Sequence, residues 1–246
     1  MSRVLTLTIC LLIFGCSGRP VDPEKIKNYQ GNYLDTFKYQ DLSSNVLSAL
    51  KTARNEGNGL SGRIEYSLTH YKNDVVEWHG KSIKSYRPAE NGVTRIKTEE
   101  LVNEFPNLTI YEMSYLGLSQ FDAQALKPGW RNLYSDYRVA DLDFIQADPL
   151  EGLNFKMELG RRTQIADFWK REVNCEAKGS QYEASSIHNT FTGYALDFKC
   201  LTTDGSGDLI EVRNTSYLID YSLFIPREIR NISGKYIYSP TLVELK

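Results

Sequence analysis

Leu153-Asn154-Phe155-Lys156-Met157-Glu158-Leu159 alternates apolar and polar side chains without a break over seven residues. Successive side chains of an extended strand point to opposite faces, so this period of two describes a strand with one face buried and the other wet. Three further stretches carry the same signature. Ile64, Tyr66 and Leu68 alternate with Arg63, Glu65, Ser67 and Thr69, and Tyr194, Leu196, Phe198 and Cys200 alternate with Ala195, Asp197 and Lys199. Tyr217, Ile219, Tyr221 and Leu223 form a fourth set. Strands wet on one face belong to antiparallel sheets, since parallel ones are covered on both.

Turn signals separate these runs: Asn73-Asp74, Asn91-Gly92, Lys127-Pro128-Gly129, Asp204-Gly205-Ser206-Gly207 and Ser233-Gly234. A meander of about ten strands follows. One helix precedes it: Asp41-Leu42-Ser43-Ser44 offers N-cap residues before Val46, Leu47, Leu50 and Ala53 at helical spacing, and the glycines of Asn55-Glu56-Gly57-Asn58-Gly59 stop it. The expected fold is mainly β, a curved antiparallel sheet forming a half-barrel or open barrel over a single N-terminal helix.

The chain has 246 residues, 41% hydrophobic and 24% charged, with 29 Lys+Arg against 31 Asp+Glu. This is the composition of a folded domain, and its balanced charge argues against a nucleic-acid partner, which clustered cations would have to bind. Sixteen Tyr, ten Phe and three Trp suit pleated, half-buried surfaces.

At the N-terminus Arg3 precedes an apolar or hydroxyl run from Val4 to Phe14, too short to span a bilayer, followed by Gly15-Cys16-Ser17-Gly18. Ile13-Phe14-Gly15-Cys16 resembles a bacterial lipobox, although Phe14 stands where that family prefers a small residue. The resemblance implies a signal peptide over residues 1–15, lipidation at Cys16 with diacylglycerol and palmitate, and a tether over 16–30. It also implies a domain over 31–246 facing the periplasm from the outer membrane, because Ser17 is not the retention Asp. An ordinary secretory signal cut near Gly18 is the alternative.

Cys10 lies in the segment to be removed, and Cys16 is consumed by lipidation. Cys175 and Cys200 are then left to pair in an oxidising compartment, at a gain of about 3 kcal/mol in the chain-entropy model; two reduced core thiols are the alternative. Strand parity places both on the apolar side, near one end of the sheet. The Trp, Cys and Thr-Phe-x-x-Tyr-x-Leu-x-Phe-x-Cys pattern, with the late Tyr-x-Tyr-Ser-Pro segment, resembles periplasmic β-rich domains of the lipoprotein-carrier type over residues 165–240.

No catalytic motif emerges: the three histidines, His70, His79 and His188, are scattered, and neither metal ligands nor a cofactor is expected. In Glu77-Trp78-His79 parity puts Glu77 and His79 on one face, as a solvated pair, and Trp78 on the other. Asp204-Gly205-Ser206-Gly207-Asp208 spaces acids as a calcium loop would, but reads better as a hairpin turn. Tyr111, Tyr115, Tyr134, Tyr137, Tyr217, Tyr221, Tyr236 and Tyr238 either line a concave ligand face or fill the core. These observations point to a non-enzymatic cell-envelope lipoprotein, held to the membrane by its lipid, that binds a protein or hydrophobic ligand or serves as a scaffold. The alternatives are an envelope enzyme acting on glycan or lipid through Asp141, Asp143 and Asp148, and a carrier of an acyl chain.

Overall fold

The structure is a computed structural model that describes residues 38–53, 60–129, 135–161 and 166–246. Cys16, the tether, the glycines at 57 and 59, and Tyr134 lie outside the described residues. The described chain begins with a short 3₁₀ turn (Tyr39–Asp41) and one helix, α1 (Ser44–Thr52). Strands follow in order: β1 (Gly62–Lys72), β2 (Val75–Pro88), β3 (Val93–Val102), β4 (Phe105–Tyr115), β5 (Ser119–Leu126) and β6 (Ser135–Gln146). The second half comprises β7 (Leu153–Arg161), β8 (Trp169–Glu183), β9 (Tyr194–Asp204), β10 (Leu209–Leu218), β11 (Leu223–Asn231) and β12 (Gly234–Leu245).

Each strand pairs antiparallel with its chain neighbours, and β1 pairs with β12, so the sheet is a closed barrel. The expected half-barrel or open barrel of about ten strands is therefore corrected to a closed barrel of twelve. Closure runs over ten residue pairs, from Gly62↔Leu245 to Tyr71↔Lys235. An open barrel would leave two rows of backbone N–H and C=O groups without partners, and zipping β1 to β12 removes both edges.

The alternating runs at 64–68, 153–159 and 194–200 form β1, β7 and β9 as their period requires, with Ile64, Tyr66, Leu68, Phe155, Phe198 and Cys200 buried. The fourth run does not form one strand. β10 ends at Leu218, a 3₁₀ turn spans Ile219–Tyr221, and Ser222 takes a left-handed conformation (φ 47°) before β11 starts. Alternation across 217–223 thus hides a chain reversal whose turn contains neither glycine nor proline.

In a meander the turns from odd to even strands share one end of the barrel. The Asn73-Asp74, Asn103-Glu104, Asp204–Asp208 and Ile232-Ser233 connections lie at this hairpin end. Asn73 and Asp74 both have positive φ (51° and 60°), matching a turn whose twist follows that of the flanking strands. The opposite end carries Ser61, whose backbone bonds reciprocally with Lys246.

Helix α1 packs on β6. Ser43 Oγ accepts from the Val46 amide at 3.3 Å and donates to the Ala140 carbonyl at 2.7 Å. Ala140 is the extra residue where the β6–β7 register shifts, so its carbonyl is spare in the ladder and the helix cap takes it up. Val46 and Leu50 are fully buried in the larger apolar cluster with Tyr111, Met113, Phe155 and Phe198.

Cys175 and Cys200 are bonded, with S–S 2.08 Å, and stand directly opposite one another on β8 and β9. Both strands extend well past the bridge, so it sits within the sheet rather than near one end of it. The outward rows of β1, β7 and β8 carry charge: Arg63 and Glu65 on β1, Lys156 and Glu158 on β7, Glu172 and Glu176 on β8. Among the described residues no helix is long and apolar enough to cross a membrane.

Candidate functional site

The barrel interior is divided. Toward the end that receives α1 it is filled by apolar side chains. Between β2–β5 and β10–β12 it holds a cavity of about 320 Å³ with polar and charged walls. Strand register explains how these walls meet. Ser82 on β2 is opposite Glu100 on β3, Lys84 is opposite Thr98, and Thr98 in turn is opposite Ile110 on β4, two residues from Glu112. On the far side Arg213 of β10 is opposite Ile229 of β11, and Ile229 is opposite Tyr236 of β12.

Water reaches the cavity from the hairpin end. Leu108, Ile110, Glu100, Ile229 and Tyr236 face inward yet are only partly buried, whereas Thr98, Glu112 and Ser82, deeper in, are buried. At the floor Tyr137 O–H donates to Gln120 Oε1 and Gln120 Nε2 donates to Glu112 Oε2, which makes a three-member relay across β6, β5 and β4. Arg213 spans the other wall, donating through Nη1 to the Leu118 carbonyl at 2.5 Å and through Nη2 to Glu211 at 2.8 Å. Ser82 Oγ, on a side chain with 0% exposure, lines this cavity without a hydrogen-bond partner among the described residues. An unsatisfied buried hydroxyl costs free energy, so a site of this kind gains by taking up a polar partner.

Burial dominates the electrostatics of the walls. It pushes the Glu112 carboxyl up, against the pull of Lys84 and the Gln120 amide, and does the same to Glu100. It lowers the Lys84 ammonium, which Glu112 partly restores. Burial opposes the Arg213 charge too, but Glu211 outweighs it and holds the guanidinium above its usual range.

A second, smaller space of about 110 Å³ adjoins the first and shares Leu118, Gln120, Glu211 and Arg213 with it. Its remaining walls include Tyr137, Arg171, Val173, Cys200 and Thr202. The disulfide therefore forms part of the inner wall.

The tyrosines divide between the two roles expected of them. Tyr137, Tyr236 and Tyr238 line the lumen, while Tyr111, Tyr115 and Tyr217 are core. Tyr221 lies in the turn between β10 and β11, where its ring meets Phe191. Of the acids of the enzyme alternative, Asp141 and Asp143 line one groove on the outer wall with Lys156, Glu158, Glu172 and Asp204, whereas Asp148 lies outside it and caps its own turn by accepting from the Leu150 amide. Asp204 likewise accepts from the amides of Ser206 and Asp208, as a hairpin turn requires. No cluster of three metal-ligating side chains occurs among the described residues.

Glu77 departs from strand parity. The β1–β2 register shifts beside it, and its carboxylate reaches His70 Nδ1 at 2.8 Å instead of pairing with His79. His70 is buried, stacked on Tyr236 and close to Trp78, with Nε2 3.1 Å from the Ser233 carbonyl. His79 contacts Thr69 instead.

The charged lumen was not foreseen from sequence. Lys84, Glu100, Glu112 and Arg213 sit in strands whose two faces both carry polar residues, so alternation gives no sign of which charges turn inward.

No family model matches the sequence, and no curated protein does. Among solved structures the chain is similar to the crystal structure of a β-barrel-like protein of the domain of unknown function DUF1849 from Brucella abortus. That match has a TM-score of 0.45 and 10% sequence identity, and covers 77% of this chain and 99% of that one.

Proposed function

We propose that this protein is a non-enzymatic cell-envelope lipoprotein, anchored through Cys16, whose barrel binds a small molecule in its lumen. The observation that carries the binding role is the cavity of about 320 Å³ with, on its wall, the buried Ser82 hydroxyl that has no hydrogen-bond partner among the described residues. Its volume is near the lower limit of small-ligand pockets, roughly 300 Å³, and its walls are more polar than is usual for them. The anchor rests on the lipobox resemblance alone, and the bridged cysteines are consistent with an oxidising compartment.

Carriage of a bare acyl chain has less support, because Lys84, Glu100 and Glu112 would be stripped of water against hydrocarbon with nothing returned. The enzyme reading has less support, because Asp141 and Asp143 line an outer groove that Asp148 does not share.

Two experiments test the proposal. Native mass spectrometry of protein extracted from its own membranes should show a bound small molecule that is absent from Leu108→Trp, which narrows the mouth. Equal mass for both, with no adduct, would remove the binding role. Cys16→Ser should move the protein from the membrane fraction to the soluble one; continued sedimentation with membranes refutes the anchor.

A further inference from the structure

The walls of the larger lumen space carry three carboxylates, Glu100, Glu112 and Glu211, and two cations, Lys84 and Arg213. Each cation already belongs to one acid. Arg213 donates to Glu211 at 2.8 Å, and of the two carboxylates that act on Lys84, Glu112 does so more strongly than Glu100. Glu112 also accepts from Gln120. Glu100 is the acid left over: among the described residues its carboxylate forms neither an ion pair nor a hydrogen bond.

A carboxylate facing an open cavity can rest in water, so Glu100 alone makes no site. Ser82 is the second observation. Its hydroxyl is fully buried, lines the same space and has no hydrogen-bond partner among the described residues. Register sets Ser82 directly opposite Glu100 on the neighbouring strand. Residues so placed in an antiparallel pair share a face, with Cβ atoms about 5 Å apart. The two side chains thus present acceptor oxygens next to each other, within reach of one group that carries several donors. Tyr236 and Tyr238 line this space too, and the face of a tyrosine ring attracts a cation.

We propose that the lumen takes a small primary alkylammonium ion, which donates N–H groups to the Glu100 carboxylate and to Ser82 Oγ and rests its hydrocarbon against Leu108, Ile110 and Ile229. This rests on the lumen being a binding site. The alternatives each miss one partner. An anion is repelled by Glu100, a neutral alcohol leaves the carboxylate without a counter-charge, and a quaternary ammonium has no N–H for Ser82. Burial raises the Glu100 carboxyl, a penalty that an approaching cation relieves.

The test is calorimetric titration of the full mature chain in detergent, dialysed until native mass spectrometry shows no adduct. The probes are n-butylammonium, butyltrimethylammonium, 1-butanol and butyrate, which share a chain and differ in head group. Butylammonium should bind saturably and the other three about tenfold or more weakly, since losing one partner of a desolvated charged contact is costly. Glu100→Gln should erase the preference for butylammonium over butanol, and Ser82→Ala that over the trimethyl form. Comparing the four probes on the unmodified protein decides the matter even if a variant misfolds. Butanol or butyrate binding as tightly as butylammonium overturns the proposal, as does a Glu100→Gln protein that keeps the preference. A null titration overturns it as well: if the protein as extracted carried an adduct, the lumen binds something else, and if it carried none, the binding role falls too.

Discussion

Glu112 shows what a closed barrel does to a charged residue. Its side chain is buried, its carboxyl is raised by that burial, and its compensating contacts are the Gln120 amide and the Lys84 charge. The folded protein therefore keeps a proton on Glu112 at pH values where the unfolded chain has released it. Between the ordinary carboxyl range and the raised folded value the native state binds more protons, so the stability contributed by this residue falls as pH rises through that window and is constant above it. Melting temperatures followed across the window should show wild type losing ground to Glu112→Gln as pH climbs; parallel curves would mean the carboxyl is not raised. Cys175 and Cys200 were legible at this scale, because strand parity fixes the face of each, and they meet as direct partners on β8 and β9. Glu112 and Lys84 were not, since an inward charge is written in the same letters as an outward one, and only register across β2, β3 and β4 shows where each points.

Among the elements, α1 was legible from Val46 and Leu50 at helical spacing, which the structure places in the core, and its cap is Ser43 among the candidates of the Asp41–Ser44 stretch. The capped residue's second bond, to the Ala140 carbonyl, was beyond reach because it depends on a bulge formed between β6 and β7. Ser43→Ala removes both bonds and leaves that carbonyl without its hydroxyl donor. The expected loss is about 1 kcal/mol for the cap, somewhat more if the carbonyl stays dry. Urea unfolding should register it as a lower midpoint at unchanged slope, and an unchanged midpoint would show that the helix contributes nothing through its cap. The stretch 217–223 was misread for a physical reason. Tyr217 and Leu223 are buried on either side of a 3₁₀ turn, so burial repeats with the parity of a strand although the chain has reversed between them.

At the scale of the molecule, closure is a relation between the first and last strands and leaves no local mark. The alternation of β1 reads identically whether its edge meets β12 or water, which is why a curved open sheet follows from sequence and a barrel does not. The two sides of β12 are unequal. It meets β1 over ten pairs but β11 over only four, Glu228–Asn231 with Gly234–Ile237, and the start of β11 turns instead to the β4–β5 connection, where the Phe224 amide donates to the Leu116 carbonyl at 2.7 Å. The β1 seam thus carries most of what holds β12, and through it the wall formed by Tyr236 and Tyr238. Truncation after Ser233 removes that strand and bares the edges of both β1 and β11. In an open barrel one edge would merely be shortened; here two strands lose their ladders at once, and exposed edges recruit other chains. The truncated protein should elute as oligomer or aggregate in size-exclusion chromatography and expose its backbone amides along β1 to hydrogen exchange. A monomeric truncation with β1 still protected would show that the barrel is closed by something other than this seam.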